Sequence, residues 1–258
     1  MTLNLLDYFL VSQVTAFLMI FCRIGSALMV LPGFGDVYVN ARVRLLFALA
    51  FTLVLTPLLI EQMPPAPPQP LALVFLIGGE ILIGVFIGLI ARVMLSALHV
   101  AGTIIAMQSA LAVAAIFDPS SGGQSPVISN ILTLTAITLF FSLNLHHLVL
   151  AALAQSYDVF PAAQFPRVDD MNLLYTRLMA DSFTLGVMLA APHIIFSLLF
   201  YLAGGLMTRL MPNFQVFFVM MPPQIMIALI LLILGLPLMM EIFLDFMQEQ
   251  LLNFVRVN

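Results

Sequence analysis

Residues 71–98 hold two charged side chains, Glu80 and Arg92, in a run that is otherwise apolar or small apart from Ser96. A helix of this composition is apolar all round, so it belongs inside a protein bundle or in lipid rather than half in water. It also exceeds the roughly 20 residues that cross the hydrocarbon layer, so it must tilt, protrude or pack inside a larger assembly. Five further apolar runs cover residues 9–31, 45–60, 127–154, 173–206 and 216–246. Over the 258 residues, 63% are hydrophobic and 8% charged, where soluble domains carry about 25% charged residues. With a mean hydropathy of +1.16, the chain is an all-α, multi-pass membrane protein.

Breakers divide the runs. The first ends at Pro32-Gly33-Phe34-Gly35, the second is short and closes near Pro57, and residues 63–70 read as an extended polyproline spacer. Pro192 kinks the fifth run, and Pro222-Pro223 with Pro237 break the sixth. The central stretch, residues 107–126, is small and moderately polar between two strongly apolar flanks. Asp118-Pro119 and Gly122-Gly123 exclude helix from about residue 117 to 125. Irregular backbone at membrane depth survives only under protein cover or along a watery cavity. Two readings of the stretch stay open, a surface loop and a gate or pore lining.

The charges exclude several functions. All eight basic residues are Arg, which offers no polybasic patch for nucleic acid or lipid headgroups, and the net charge of -4 is dispersed. Cys22 has no partner for an internal disulfide, and the first run lacks a basic leader and is expected to stay as a helix. Arg residues 42, 44, 92 and 209 against 167, 177 and 256 set no orientation. Gly33-Phe34-Gly35-Asp36 and Tyr157-Asp158 resemble the two motifs of intramembrane aspartyl proteases, but in reversed order and at run ends. His146 and His147 are adjacent, about 100° apart on a helix, and cannot grip one metal as an i, i+4 pair does. No catalytic residue, metal or cofactor is therefore expected. Arg23, Glu80, Arg92 and Asp181 lie within apolar runs, where charges are costly and face partners. Their expected role is assembly, with Arg23, Arg92 or a group of a partner subunit as partner to Glu80. Gly84 and Gly88 form a Gly-x-x-x-Gly that permits close helix approach.

Several stretches resemble, in order, the FliR/SctT family of type III secretion export-gate proteins. They are Arg23; Pro32-Gly33-Phe34-Gly35; Arg42-Val43-Arg44; Glu80 to Gly84 with Gly88; Gly102 to Gln108; Phe117-Asp118-Pro119-Ser120; and Arg209-Leu210-Met211-Pro212 running into Val216-Phe217-Phe218-Val219. Asn213-Phe214-Gln215 departs from the family's more usual Gln-x-Asn, and Pro222-Pro223-Gln224 from a single Pro followed by an apolar residue and Lys.

The resemblance implies long kinked helical hairpins in a helical hetero-oligomer. Residues of about 1–170 would form a FliP-like part and 171–258 a FliQ-like hairpin. The partners implied are FliP-like and FliQ-like subunits, FlhA-like and FlhB-like export proteins, and unfolded flagellar substrates crossing the inner membrane. The central stretch would plug the channel, with Ala110, Ala114, Ile116, Phe117, Asp118, Pro119, Ser120, Gly122 and Gly123 as its candidate residues. Arg209, Pro212, Gln215 and Phe217 would form a hairpin tip against a FliQ-like neighbour. The alternative is a self-contained secondary transporter with a midplane site built from Glu80, Arg92 and Asp181.

Overall fold

The computed structural model describes residues 2–110, 127–162, 164, 168–211 and 215–256. Its elements are α1 (Thr2–Val30), α2 (Ala41–Leu59) with a 3₁₀ turn (Ile60–Gln62), α3 (Pro70–Gln108), α4 (Val127–Ser142), α5 (Leu145–Val159), α6 (Val168–Leu210) and α7 (Val216–Arg256). Among the described residues there is no strand. Within the same described residues five helices are long and apolar enough to cross a membrane, and α4 with α5 forms a sixth candidate bent by 78°.

Four expectations are corrected by this architecture. The second run is not short: helix begins at Ala41, where the Asn40 side chain accepts a hydrogen bond from the Arg42 N–H, and with the 3₁₀ turn spans 22 residues. Pro57 lies inside that helix, which closes two residues later at Leu59, near the proline as expected. Pro222, Pro223 and Pro237 likewise lie within α7, which is continuous over 41 residues, while α6 is one helix of 43 residues through Pro192, in keeping with a single long fifth run. A proline removes one N–H and crowds the carbonyl four residues back, but apolar neighbours still favour helix on either side, and membrane bundles tolerate the loss. The fourth run, by contrast, is broken where it contains no proline. Asn144 adopts φ 59°, ψ 19°, a left-handed conformation that Asn enters more readily than most residues with a Cβ, and α5 restarts at Leu145. Finally, Pro70 belongs to the helix and not the spacer, standing at the first position of α3 where its missing N–H is no loss.

The chain forms two compact units. One comprises Met1–Met94, Leu143–Leu178 and Glu249–Asn258; the second comprises Leu95–Ser142 and Met179–Gln248. The helices α3, α6 and α7 contribute residues to both.

In the first unit α1 and α3 meet at small residues. A Cβ on Gly84 would collide with the Arg23 carbonyl and the Ser26 hydroxyl, and one on Gly88 would lie 2.6 Å from Val30 Cβ and 3.0 Å from the Ala27 carbonyl. The Gly-x-x-x-Gly thus does bring two backbones together, and Met19, Ile20, Ile24, Ala27 and Leu28 of α1 are fully buried. In the second unit a Cβ on Gly102 would collide with the Ser129 backbone of α4, and one on Gly186 of α6 would lie 2.7 Å from the Ala97 carbonyl of α3.

Candidate functional site

Glu80, Gly84 and Gly88 recur every four residues, so they share one face of α3. The same close approach that needs the glycines carries Glu80 to α1. There Arg23 Nε donates to Glu80 Oε2 at 2.6 Å, and the two side chains are 0% and 2% exposed. Of the two candidate arginines, Arg23 is the one that meets Glu80.

The remaining guanidinium donors reach α5 and its end. Arg23 Nη1 donates to Ser156 Oγ at 3.2 Å and Nη2 to the Phe160 carbonyl at 3.0 Å. The Arg23 Cζ also lies 3.7 Å from the centre of the Tyr157 ring. A planar fork with five fixed donors suits such multiple contacts, and a desolvated cation over an aromatic face gains about 2 kcal/mol. Ser156 in turn donates to the Leu153 carbonyl at 2.7 Å, and Phe160 meets Phe86 edge to face at 6.3 Å. One arginine therefore joins α1, α3 and the end of α5. A buried pair gives back in Coulomb attraction about what it loses in desolvation, so its presence adds little net stability, whereas loss of one partner leaves a buried charge uncompensated.

Arg92 is placed differently. Its side chain is 48% exposed, with Nε donating to the Val30 carbonyl at 2.6 Å at the end of α1 and Nη2 lying 3.7 Å from Asp36 Oδ1. A cation there complements the helix C-terminus. Asp36 Oδ2 also accepts from the Gly33 N–H at 2.8 Å, and Arg44 Nη2 donates to the Asp36 and Val39 carbonyls. The Gly-x-Gly-Asp is thus a tied turn, and its aspartate is engaged with Arg92. Tyr157 packs on Arg23, while Asp158 is exposed. Asp181 is exposed on α6.

Of the candidate plug residues, Ala110 is described: it is buried and left-handed at φ 59°, two residues past the end of α3. Ala114, Ile116, Phe117, Asp118, Pro119, Ser120, Gly122 and Gly123 lie outside the described residues, as does Pro212. Arg209 is exposed in the last turn of α6, Gln215 is exposed with its carbonyl accepting from the Phe218 N–H at 3.2 Å, and Phe217 falls in the first turn of α7.

Residues 14–250 match the profile of the family described as Bacterial export proteins, family 1. The chain belongs to that family. Among relatives in this export family, it is 42% identical over 224 residues to the flagellar biosynthetic protein FliR of Caulobacter vibrioides, covering 87% of this chain and 89% of that one. FliR of Bacillus subtilis is 32% identical, covering 84% and 85% of the two chains. The Yop proteins translocation protein T of Yersinia pestis is 32% identical over 178 residues, 68% of each chain. The FliR/SctT resemblance carried by the quoted motifs is thus the family of this chain, a multi-pass membrane protein.

Sequence reasoning missed Ser156 and the Phe160 carbonyl as partners of Arg23, and saw Tyr157 only as half of a protease motif. A usable signal was present. Ser156 and Tyr157 lie in the polar stretch Gln155-Ser156-Tyr157-Asp158 just past the fourth apolar run, and a buried arginine has more donors than one carboxylate can accept.

Proposed function

We propose that this chain is a channel and gate subunit of a flagellar type III protein export apparatus in the bacterial inner membrane, passing unfolded flagellar proteins. The observation that carries this reading is the match to FliR over nearly nine-tenths of both chains, against two-thirds for the injectisome relative. A subunit of this kind works without a catalytic residue. Its FliP-like part, residues 1–170, and FliQ-like part, residues 171–258, take places among FliP-like and FliQ-like subunits, with FlhA-like and FlhB-like proteins delivering substrate.

The plug is assigned to Ala110 through Gly123. Small side chains suit a narrow lumen, Ile116 and Phe117 exclude water, and Asp118-Pro119 with Gly122-Gly123 supply turns able to absorb backbone change. Deleting residues 116–123 is expected to leave assembly intact and raise the leak of ions or small solutes from vesicles holding the complex. A deleted complex as tight as the intact one would refute the assignment. For the hairpin tip formed by Arg209, Pro212, Gln215 and Phe217, Phe217→Ala should reduce co-purification of the FliQ-like neighbour without unfolding the chain.

The transporter alternative needs Glu80, Arg92 and Asp181 free for substrate or ions. Glu80 is engaged by Arg23 at 2.6 Å and Arg92 by the Val30 carbonyl, an arrangement that supports a role in assembly. Glu80→Gln should accordingly lower the yield of assembled complex more than export per complex. Normal yield with export abolished would instead indicate a proton relay.

A further inference from the structure

The end of α3 meets a second polar cluster, entirely within the second unit. A helix leaves its last four carbonyls without intrahelical partners, and in an apolar bundle each must find a donor elsewhere. At the Gln108 carbonyl that donor comes from α7: Gln224 Nε2 lies at 2.9 Å. The other hydrogen of the same amide faces Tyr201 Oη of α6 at 3.2 Å. Gln108's own side chain is held as well, its Oε1 accepting from Ser197 Oγ of α6 at 2.6 Å, with the Ile194 carbonyl at 2.9 Å as the competing acceptor for that proton. Ser197 is 2% exposed and Gln224 4%.

Three local features sharpen the point. Ser109 closes the last α-turn to the Ile105 carbonyl at 2.9 Å, so the helix is intact up to the cluster. Ala110 then turns left-handed at φ 59°, a conformation that a side chain with a Cβ resists, and is buried at 6% exposure. Ser197 and Tyr201 stand four residues apart on α6, so both face the end of α3. Gln224 is the middle of the cluster, because both its amide hydrogens are used and one of them satisfies backbone.

Ser109 and Ala110 satisfy the Ile105, Ala106 and Met107 carbonyls locally; we propose that Gln224, with Ser197 and Tyr201, is an interhelical latch that holds the end of α3 by supplying from α7 the donor for the Gln108 carbonyl, the one of the last four that its own sequence leaves open. Gln224 is its positioning residue. The latch's consequence for export rests on the gate reading, since the residues assigned to the plug leave α3 from the end so held. A change in the spacing of α6 and α7 would withdraw the donor from the Gln108 carbonyl, the bond next to the left-handed turn at Ala110.

The test uses the full chain in its assembled complex. Gln224→Met keeps the length of the side chain and removes both donors. Leaving the part-buried Gln108 carbonyl without its interhelical donor should speed amide hydrogen exchange at Ser109 and Ala110 by about tenfold, while exchange near Arg23 stays unchanged. Ser197→Ala should produce a smaller increase at the same amides, and serves where Gln224→Met does not assemble. Solute leak from the same vesicles should rise in the order of the exchange rates. Unchanged exchange at Ser109 and Ala110 overturns the latch. Faster exchange with unchanged leak overturns its hold on the seal, and deletion of residues 116–123 in parallel distinguishes that outcome from failure of the gate reading.

Discussion

The Arg23 cluster and the Gln108 cluster both tie α3 to helices distant in sequence, one with a buried charge pair and the other with neutral hydrogen bonds. Arg23 and Glu80 bring a Coulomb interaction whose loss leaves an uncompensated charge, whereas Gln224 and Ser197 leave at most an unsatisfied dipole. A charged tie is therefore close to all-or-none in effect. A neutral one can be released and remade at moderate cost, which suits a helix end more than the middle of a helix crossing.

The largest effect that would test this contrast is expected from Arg23→Met. Removing one partner of a buried ion pair costs about 3–5 kcal/mol, and here it also strips the Phe160 carbonyl of its donor. Folded protein recovered in detergent should fall sharply. The double variant Arg23→Met with Glu80→Met should recover most of it, because apolar replacement of the whole pair is often neutral. If the double variant is no better than the single one, the charge is not what the pair contributes.

Next in size are the glycine contacts. Gly84→Val would press a side chain into the Arg23 carbonyl, and Gly102→Val one into the Ser129 backbone, each costing about 1–3 kcal/mol through overpacking. Thermal unfolding of the two variants measures this. Ser197→Ala should cost about 0.5–1.5 kcal/mol, since one neutral hydrogen bond is lost. Smallest, and of opposite sign, is Gly78→Ala. An added methyl there meets nothing within 4 Å, so helix propensity alone should stabilise α3 by about 0.5–1 kcal/mol. A destabilised Gly78→Ala variant would mean that the open space is occupied in the assembled complex.

Much of this was legible in the chain itself. Glu80, Gly84 and Gly88 at intervals of four already placed a carboxylate and two small residues on one face of α3. Arg23 was one of two basic residues available to it. The choice between Arg23 and Arg92 was not legible, because both lie in apolar runs and nothing local separates them. The distinction appears only when Gly84 draws α3 against Arg23 and Ser26, and Arg92 is carried to the end of α1. That Gln108, Ser197 and Gln224 meet was not legible for a related reason: three neutral polar residues on three helices have no shared spacing.

Hydropathy is a local property, so the sequence alone determined the membrane class, the number of apolar runs, the all-α fold and the short list of costly charges. The continuity of those runs was a tertiary matter. The backbone passes through Pro57, Pro192, Pro222, Pro223 and Pro237 in helix yet breaks at Asn144. A proline's lost hydrogen bond is a fixed local cost that flanking contacts can outweigh, while the left-handed backbone at Asn144 interrupts the helix with no proline or glycine to announce it. The tertiary structure likewise decided that Arg23 serves three helices and that α3 is capped from α7. A buried donor or acceptor must be satisfied by whichever group folding brings within about 3 Å, and sequence separation places no limit on that choice.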